Sequence, residues 1–355
     1  MQGFTVVDLV ILVVYLAAVL FAGLHFSKKE MKGKEYFKGD GTVPWWVTSV
    51  SIFATLLSPI SFLSLAGNSY AGTWIMWFAQ LGMLLAIPLT IRFFLPIYSR
   101  LDIDTAYHYL ELRFGSKGLR VLGAVMFIIY QVGRMSIIMY LPCMVLGSLT
   151  GISVNLLIII MGVIAIIYSY TGGLKSVLWT DFIQGSLMFV ALLIVPITMF
   201  IMLGNWNEIS TLLADAGPTY LKFSGSETGF NLKSIASNLA WGLGYFGMPH
   251  IVVRFMAIKN PKELKQSRII ATIWVAVTLT AAIMIGILGR AFVAQYGLNF
   301  ADADAESIFL VVIDYIFPSA IAGFLLAAVL SATMSTADSQ LLVSASSISN
   351  DLVKS

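Results

Sequence analysis

Long apolar stretches alternate with short polar segments along most of the chain. Nine of the stretches are long enough to cross about 30 Å of hydrocarbon as helices. In chain order, spans one to nine cover residues 4–26, 44–67, 72–98, 119–148, 152–170, 181–203, 234–257, 267–289 and 319–346. The pattern predicts an all-α, polytopic membrane protein. The segments between the spans are too short for a separate domain, so we expect a single transmembrane domain over residues 1–355.

Composition supports the membrane prediction and excludes several functions. Hydrophobic residues make up 59% of the chain and charged residues 11%, which excludes a soluble globular protein. The chain has one cysteine, Cys143, and three scattered histidines, and these form no metal-ligand pattern. No motif pairs a nucleophile with a base or binds a cofactor, so we do not expect an enzyme.

Basic residues indicate how the chain is oriented, because short cytoplasmic loops collect Lys and Arg. With nine spans, 17 of the 21 Lys and Arg residues fall on one side of the membrane and three on the other, and Arg134 lies within span four. This count assigns Arg254, near the end of span seven, to the loop that follows it. It predicts a cell-membrane protein with its N-terminus outside.

Two spans carry residues that interrupt a helix. Span two contains Ser58-Pro59 near its middle, and span seven contains a glycine-rich stretch, 242–249, that ends in a proline. Proline removes a backbone donor, and freed backbone groups are tolerated in a membrane only inside protein or beside a cavity. Interrupted helices at corresponding positions of two halves indicate a secondary transporter with inverted repeats, here 44–203 and the start of a second over 234–346. The alternative is that Gly and Pro are simply common in membrane helices.

Span nine changes along its length from apolar to rich in small oxygen-bearing residues. At helical spacing these residues form one stripe with an adjoining edge, which consists of Ser331, Ala332, Ser335, Thr336, Asp338 and Ser339. Sodium is a hard cation that prefers several oxygen ligands, and freed carbonyls of span two could complete the set. The alternative is that these hydroxyls bond carbonyls of their own helix or of a neighbouring helix.

A few polar and aromatic residues inside the spans are further candidates. Arg134 could hold a substrate carboxylate bidentately, or form a structural ion pair. Asp181 could relay an ion, or cap span six together with Gln184. Trp241 and Tyr245 lie at the second interruption, where they could stack on a substrate, although core packing explains most aromatic residues in membrane helices.

Five ordered motifs carry a resemblance to a known family. The stretches YFKGDGTVPWWV, ATLLSPIS, YSYTGGLKSVLWTDFIQG, WGLGYFGMPHIVVRFMA and GFLLAAVLSATMSTADSQLLVSASSISNDL resemble the sodium/solute symporter family. The resemblance implies a LeuT-type fold, in which an extra leading helix, here 4–26, precedes two inverted five-helix repeats. Since the chain ends after span nine, we expect the second repeat to be truncated.

The resemblance also implies sodium ligands. The family's sodium site would use the carbonyls of Ala54, Leu57 and Ala332 and the hydroxyls of Ser335 and Thr336. A second sodium, present in some members, would fall near Asp181, Ser335, Asp338 and Ser339. Sialic acid symporters have a serine at the position of Asp338, so this second set departs from their pattern. Sodium is the coupling ion, and no other cofactor is expected.

The two halves of the chain resemble different symporters. The first half is similar to sialic acid symporters, in which the arginine matching Arg134 binds the carboxylate, whereas the second half is similar to sodium/proline symporters. These resemblances and the position of the first break indicate seven residues that would bind the solute. They are Ser58, Ser61, Gln80, Arg134, Trp241, Tyr245 and Pro249. Proline carriers have an acid at the position of Leu56 and a glutamine at Met248.

We therefore expect sodium-coupled uptake of a small carboxylate-bearing solute, with proline or a similar amino acid first and sialic acid as the alternative. An alternative of another class is the membrane sensor module of a signalling protein. The expected partners are the solute, Na+ and the lipid bilayer, with no nucleic acid and no need for an oligomer.

Overall fold

The structure is a computed structural model that describes residues 4–27, 33–39, 41–72, 76–94, 101, 103, 105–214, 220, 232–258, 260–300 and 302–353. These residues form helices and connecting turns, and no strand occurs among them. In chain order the α-helices are α1 (Val6–Phe26), α2 (Lys34–Lys38), α3 (Trp45–Leu56), α4 (Pro59–Phe62), α5 (Ser64–Ala71), α6 (Met76–Leu89), α7 (His108–Phe114), α8 (Lys117–Thr150), α9 (Val154–Leu203), α10 (Trp206–Ala214), α11 (Leu232–Ala240), α12 (Pro249–Met256), α13 (Pro261–Tyr296), α14 (Ile308–Ile316) and α15 (Ser319–Ser347).

Five helices in the described part of the chain are long and apolar enough to cross a membrane: α1, α8, α9, α13 and α15. Helix α9 contains two of the predicted spans, 152–170 and 181–203, because its two arms join at a kink. Helix α15 lies at the centre of the molecule, with most of its side chains buried on every face, and it packs against α1, α3, α8 and α9. The polar residues of α15 therefore face protein.

The two predicted interruptions are both present. Helix α3 ends at Leu56, Leu57 leaves the helical conformation at φ −86° and ψ 82°, and α4 begins at Pro59. In span seven, α11 stops at Ala240, a 3₁₀ turn runs over Trp241–Gly247, and α12 begins at Pro249. Proline is favoured at the first position of a helix, where its missing N–H has no intrahelical partner to lose. Each proline therefore starts a new helix after the break.

Gly173 makes the kink in α9. Its φ of 54° and ψ of −147° lie in a region that is essentially restricted to glycine. Beside the kink, the Tyr36 hydroxyl donates to the carbonyls of Ser169 and Tyr170 at 2.9 and 3.0 Å. A β-carbon on Gly173 would lie 2.5 Å from the Tyr36 carbonyl oxygen. The kink therefore depends on both the conformation and the small size of glycine.

We expect Gly173→Ala to lower the free energy of unfolding by about 2 kcal/mol or more, because it adds backbone strain and a clash. The measurement is thermal unfolding of the purified protein. Gly162→Ala is the matched control within α9, since its new β-carbon would meet only the Met139 methyl group at 3.9 Å. Equal melting temperatures for the two variants would contradict the role given to Gly173.

Candidate ion and solute sites

A buried polar cluster joins both interrupted spans to α9 and α15. The Arg254 side chain on α12 donates to Asp181 Oδ2 at 2.7 Å and to Ser51 Oγ at 2.8 Å. It also donates to Ser339 Oγ and to the His250 carbonyl. Arg254 is 1% exposed and Asp181 is fully buried. One guanidinium thus links four helices away from solvent.

The structure corrects two predictions about this cluster. Arg254 lies within α12 and not in a loop, since α12 runs from Pro249 to Met256 and the Arg254 side chain is buried. Asp181 is not a helix cap, because α9 continues from the kink at Gly173 through Asp181 without a new start. Asp181 instead accepts hydrogen bonds from Ser51 at 2.6 Å and from Thr55 at 3.4 Å, in addition to the Arg254 contact.

Asp338 is a second buried carboxylate beside this cluster. Its Oδ2 accepts from the Tyr168 hydroxyl at 2.7 Å, and its Oδ1 lies 3.0 Å from Ser339 Oγ. The residues predicted for a second sodium, Asp181, Asp338 and Ser339, are therefore brought together. The Arg254 guanidinium already contacts two of them, so a sodium ion bound by this set would share these ligands with a resident cation.

The predicted primary sodium ligands lie where α15 faces the first break. Ser335 Oγ is 3.2 Å from the Ala54 carbonyl oxygen and 3.4 Å from the Ala332 carbonyl oxygen. Thr336 Oγ1 is 2.9 Å from the same Ala332 oxygen. Carbonyls at the end of an interrupted helix lack intrahelical donors, and unwound carbonyls of this kind coordinate sodium in transporters. These neutral oxygens fit a hard monovalent cation.

Close helix packing holds this region together. A β-carbon on Gly185 of α9 would lie 3.0 Å from both the Ala54 β-carbon and a Val50 methyl group. Leu57, which is 1% exposed, follows in the break, and Ala54 and Ala332 are fully buried.

The alternative interpretation of the oxygen stripe, that its hydroxyls bond carbonyls of their own helix, also holds in part. Thr336 Oγ1 and Ser331 Oγ bond carbonyls four residues earlier in α15.

A cavity of about 560 Å³ lies beside the first break. Its lining residues are Leu56, Ser58, Leu65, Ala79, Met83, Ile129, Tyr130, Gly133, Arg134, Ile137, Trp241 and Met248. An adjoining cavity of about 1080 Å³ shares Ile137 and Trp241 with it and is also lined by Ser64 and Glu306. Three predicted solute residues, Ser58, Arg134 and Trp241, thus meet at one cavity.

The other predicted solute residues are placed differently. Gln80 donates to the Ala276 carbonyl at 3.0 Å and to Thr280 Oγ1 at 2.8 Å, so its amide nitrogen is engaged by α13. Pro249 is buried at the start of α12. The side chains of Ser61 and Tyr245 lie outside the described part of the structure.

Sequence reasoning missed Ser51, Thr55, Tyr168 and Arg254 as members of the cluster. Ser51 and Thr55 are four residues apart and therefore share a face of α3. Arg254 follows an apolar run in span seven, and a charge within a span is a functional signal by default. That signal was present in the sequence, whereas the contact between Tyr168 and Asp338 joins residues 170 positions apart and has no local signal.

Comparison with known proteins identifies the family. The model of the sodium:solute symporter family matches residues 36–355. The chain belongs to this family. Its members are transporters and not enzymes, which confirms the predictions from the sequence. Sodium is the one coupling ion that the family indicates, and no further cofactor is indicated.

The most similar relatives that we compared transport two kinds of solute. The chain is 31% identical to the sodium/sialic acid symporter SiaT of Proteus mirabilis, over 99% of the chain and 72% of that protein. It is 33% identical to the osmoregulated proline transporter OpuE of Bacillus subtilis, over 96% of the chain and 70% of that protein. A sodium/proline symporter of Staphylococcus aureus is 32% identical over 93% of the chain and 65% of its own length.

A solved structure confirms the LeuT-like fold. It is the substrate-bound, outward-open state of a Na+-coupled sialic acid symporter, which superposes with a TM-score of 0.89 at 29% identity. The match covers 99% of this chain and 74% of that one. The family and the fold are therefore shown, whereas the relatives do not agree on one solute.

Proposed function

We propose that this sodium:solute symporter takes up a small carboxylate-bearing organic solute, driven by the sodium gradient. The observation that carries the proposal is the position of Arg134 on the wall of the cavity beside the first break. Proline or a similar amino acid and sialic acid are the two candidate solutes, because relatives at similar identity are named for each. The proposed cellular location is the cell membrane, with the N-terminus outside, as the distribution of Lys and Arg indicates.

The proposed sodium site consists of the carbonyls of Ala54, Leu57 and Ala332 and the hydroxyls of Ser335 and Thr336. It is supported by the short distances from Ser335 and Thr336 to the Ala54 and Ala332 oxygens. The solute cavity borders the same break, since Leu56 and Ser58 line its wall. Because the two sites share a segment, binding at one can raise affinity at the other, and this coupling is reciprocal.

The proposed second sodium set, Asp181, Asp338 and Ser339, remains a prediction that needs rearrangement of Arg254. The repeat boundaries, 44–203 and 234–346 after a leading helix over 4–26, are also proposals. They are supported by the interruptions at matching places in spans two and seven, which is the arrangement expected of inverted repeats.

We expect Arg134→Gln to weaken solute binding about 30-fold or more. Losing one partner of a hydrogen-bonded charge pair costs about 2–5 kcal/mol, and each 1.4 kcal/mol is tenfold in affinity. The measurement is the initial rate of uptake of labelled proline and labelled sialic acid into vesicles with an inward sodium gradient.

Arg113→Gln is the matched control, since it removes the same charge from an exposed position outside the cavity. If the Arg134→Gln variant takes up solute at the wild-type rate, Arg134 has no role in solute binding. The absence of sodium-driven uptake of both solutes by the wild-type protein would count against both candidate solutes.

A further inference from the structure

A small apolar layer lies next to the buried polar cluster around Arg254. Four of its side chains are at most 4% exposed and belong to α9 and α15, and five partly buried side chains pack against them. The buried four are Leu174, Val177, Leu178 and Leu342, and the other five are Tyr36, Phe37, Val43, Val253 and Ala257. The layer therefore joins the segment that follows α1 to three elements of the polar cluster.

The apolar layer is offset from the polar cluster by about one helical turn. Three pairs of residues are three positions apart, so the two members share a helix face about 4.5 Å apart along the axis. The pairs are Asp181 with Leu178, Arg254 with Ala257, and Ser339 with Leu342. With the N-terminus outside, the direction of each element places the apolar member on the cytoplasmic side. The layer thus lies between the polar cluster and the cytoplasm.

Helix α2 covers this layer. It packs against α9, α12 and α15, which are the elements that carry the three pairs. Tyr36 and Phe37 supply its apolar contacts to the layer. In the turn after α2, a β-carbon on Gly39 would meet a Leu174 methyl group at 3.6 Å and the Ala257 β-carbon at 4.0 Å. A five-residue helix therefore closes over the apolar layer.

The Tyr36 hydroxyl fastens α2 to the kink of α9. It lies 2.9 Å from the Ser169 carbonyl oxygen and 3.0 Å from the Tyr170 carbonyl oxygen. Both carbonyls belong to the last turn before Gly173, where the helical conformation is interrupted. Carbonyls in the last turn of a helix segment lack donors within that segment. Tyr36 therefore binds the kink at polar groups that need a donor.

We propose, building on the symport function and orientation above, that α2 is a cytoplasmic cover of the polar cluster and that the Tyr36 hydroxyl holds this cover closed. While the cover is closed, the polar cluster stays buried. Release of α2 exposes the apolar layer first and then the polar cluster, which opens the ion region toward the cytoplasm. A short helix with few buried contacts opens at lower cost than the long helices around it.

The test measures the reactivity of one cysteine placed in the apolar layer. In a Cys143→Ala background, Val177→Cys puts the reporter at a side chain that is 0% exposed. The full chain is studied in inside-out vesicles in KCl, and a charged, membrane-impermeant methanethiosulfonate reagent is added from the cytoplasmic side. Since neither sodium nor solute is present, the labelling rate reports the cover and does not depend on symport.

We expect Tyr36→Phe to raise the labelling rate at position 177 about two- to tenfold, the change in an equilibrium that one neutral hydrogen bond gives. Tyr170→Phe is the matched control at the same kink. Tyr170 is 78% exposed, and its hydroxyl makes no hydrogen bond within the described part of the chain, so this variant should keep the original rate. Leu342→Cys is a second reporter, on α15, and should give the same order of rates.

The native Cys143 distinguishes opening of the cover from loosening of the whole protein. It is buried on α8, with its sulfur 3.6 Å from the Met161 sulfur. In the protein that retains it as the sole cysteine, Tyr36→Phe should leave its labelling rate unchanged.

Two results would overturn the inference. One is unchanged labelling at positions 177 and 342 in a folded Tyr36→Phe variant, and the other is an equal increase at these positions and at Cys143. If no tested solute is taken up but the labelling rates follow the expected order, the proposed solute transport is wrong while the cover remains supported.

Discussion

Replacing Arg254 with glutamine is expected to destabilise the protein by about 3–5 kcal/mol, the usual cost of removing one partner of a buried ion pair. Among the described residues, Asp181 would keep two hydroxyl donors, Ser51 at 2.6 Å and Thr55 at 3.4 Å. Asp181 is fully buried, so the substitution leaves its negative charge inside the protein without its ionic partner. The measurement is the melting temperature and the yield of folded, monodisperse protein.

A double-mutant cycle separates this pairing from the packing of the long side chain. Asp181→Asn alone should also destabilise, because it leaves the Arg254 charge buried without its counterion. The double variant Asp181→Asn, Arg254→Gln should recover part of the loss, which gives a coupling energy for the pair. Additive effects of the two substitutions would show that the 2.7 Å contact contributes nothing specific to stability.

This arginine connects the two halves of the proposed transport site. It belongs to α12, which follows the break in span seven, and it donates to Ser51 on α3, which precedes the break in span two. Its contact with Ser339 extends the connection to α15, four residues beyond Ser335. A movement of either interrupted span that separates α12 from α3 must therefore break or replace these hydrogen bonds.

The sequence predicted features that depend on local chemistry. The breaks at Ser58-Pro59 and over 242–249 follow from the conformational limits of proline and glycine, which act on the chain where they stand. The oxygen stripe of span nine follows from helical periodicity alone. A polar stripe in a membrane protein must face protein or a cavity, but only the resemblance to the family indicated Ala54 as its partner.

The errors arose where tertiary structure decides the environment of a charge. Counting basic residues by loop assigns an arginine near a span end to solvent, but Arg254 is buried and donates to Asp181, Ser51 and Ser339. The polar stretch before Asp181 predicts a loop between two spans, whereas the structure has a kink at Gly173 within one long helix. Gln80 shows the same limit, since neither periodicity nor resemblance indicates that its amide bonds α13.

Thr336→Ala and Ser335→Ala are each expected to weaken the apparent sodium affinity about tenfold or more. Each removes one proposed ligand oxygen, and a polar contact to a charged group is worth about 1.5–3 kcal/mol. Because coupling is reciprocal, the solute affinity at low sodium should fall as well, and it should recover at saturating sodium. The measurement is the sodium dependence of solute uptake at fixed solute concentration.

The control is Thr333→Ala on the same helix, because Thr333 is equally buried and, within the described part of the chain, its hydroxyl bonds only the Val329 carbonyl, at 3.0 Å. It should leave the sodium dependence unchanged, as should Thr336→Ser, which keeps the hydroxyl. If Thr336→Ala and Thr333→Ala have the same sodium dependence, the Thr336 hydroxyl is not a sodium ligand and only bonds the Ala332 carbonyl. If Ser335→Ala alone shifts the sodium dependence, the ion contacts the Ala54 side of the break, where Ser335 Oγ lies 3.2 Å from the carbonyl.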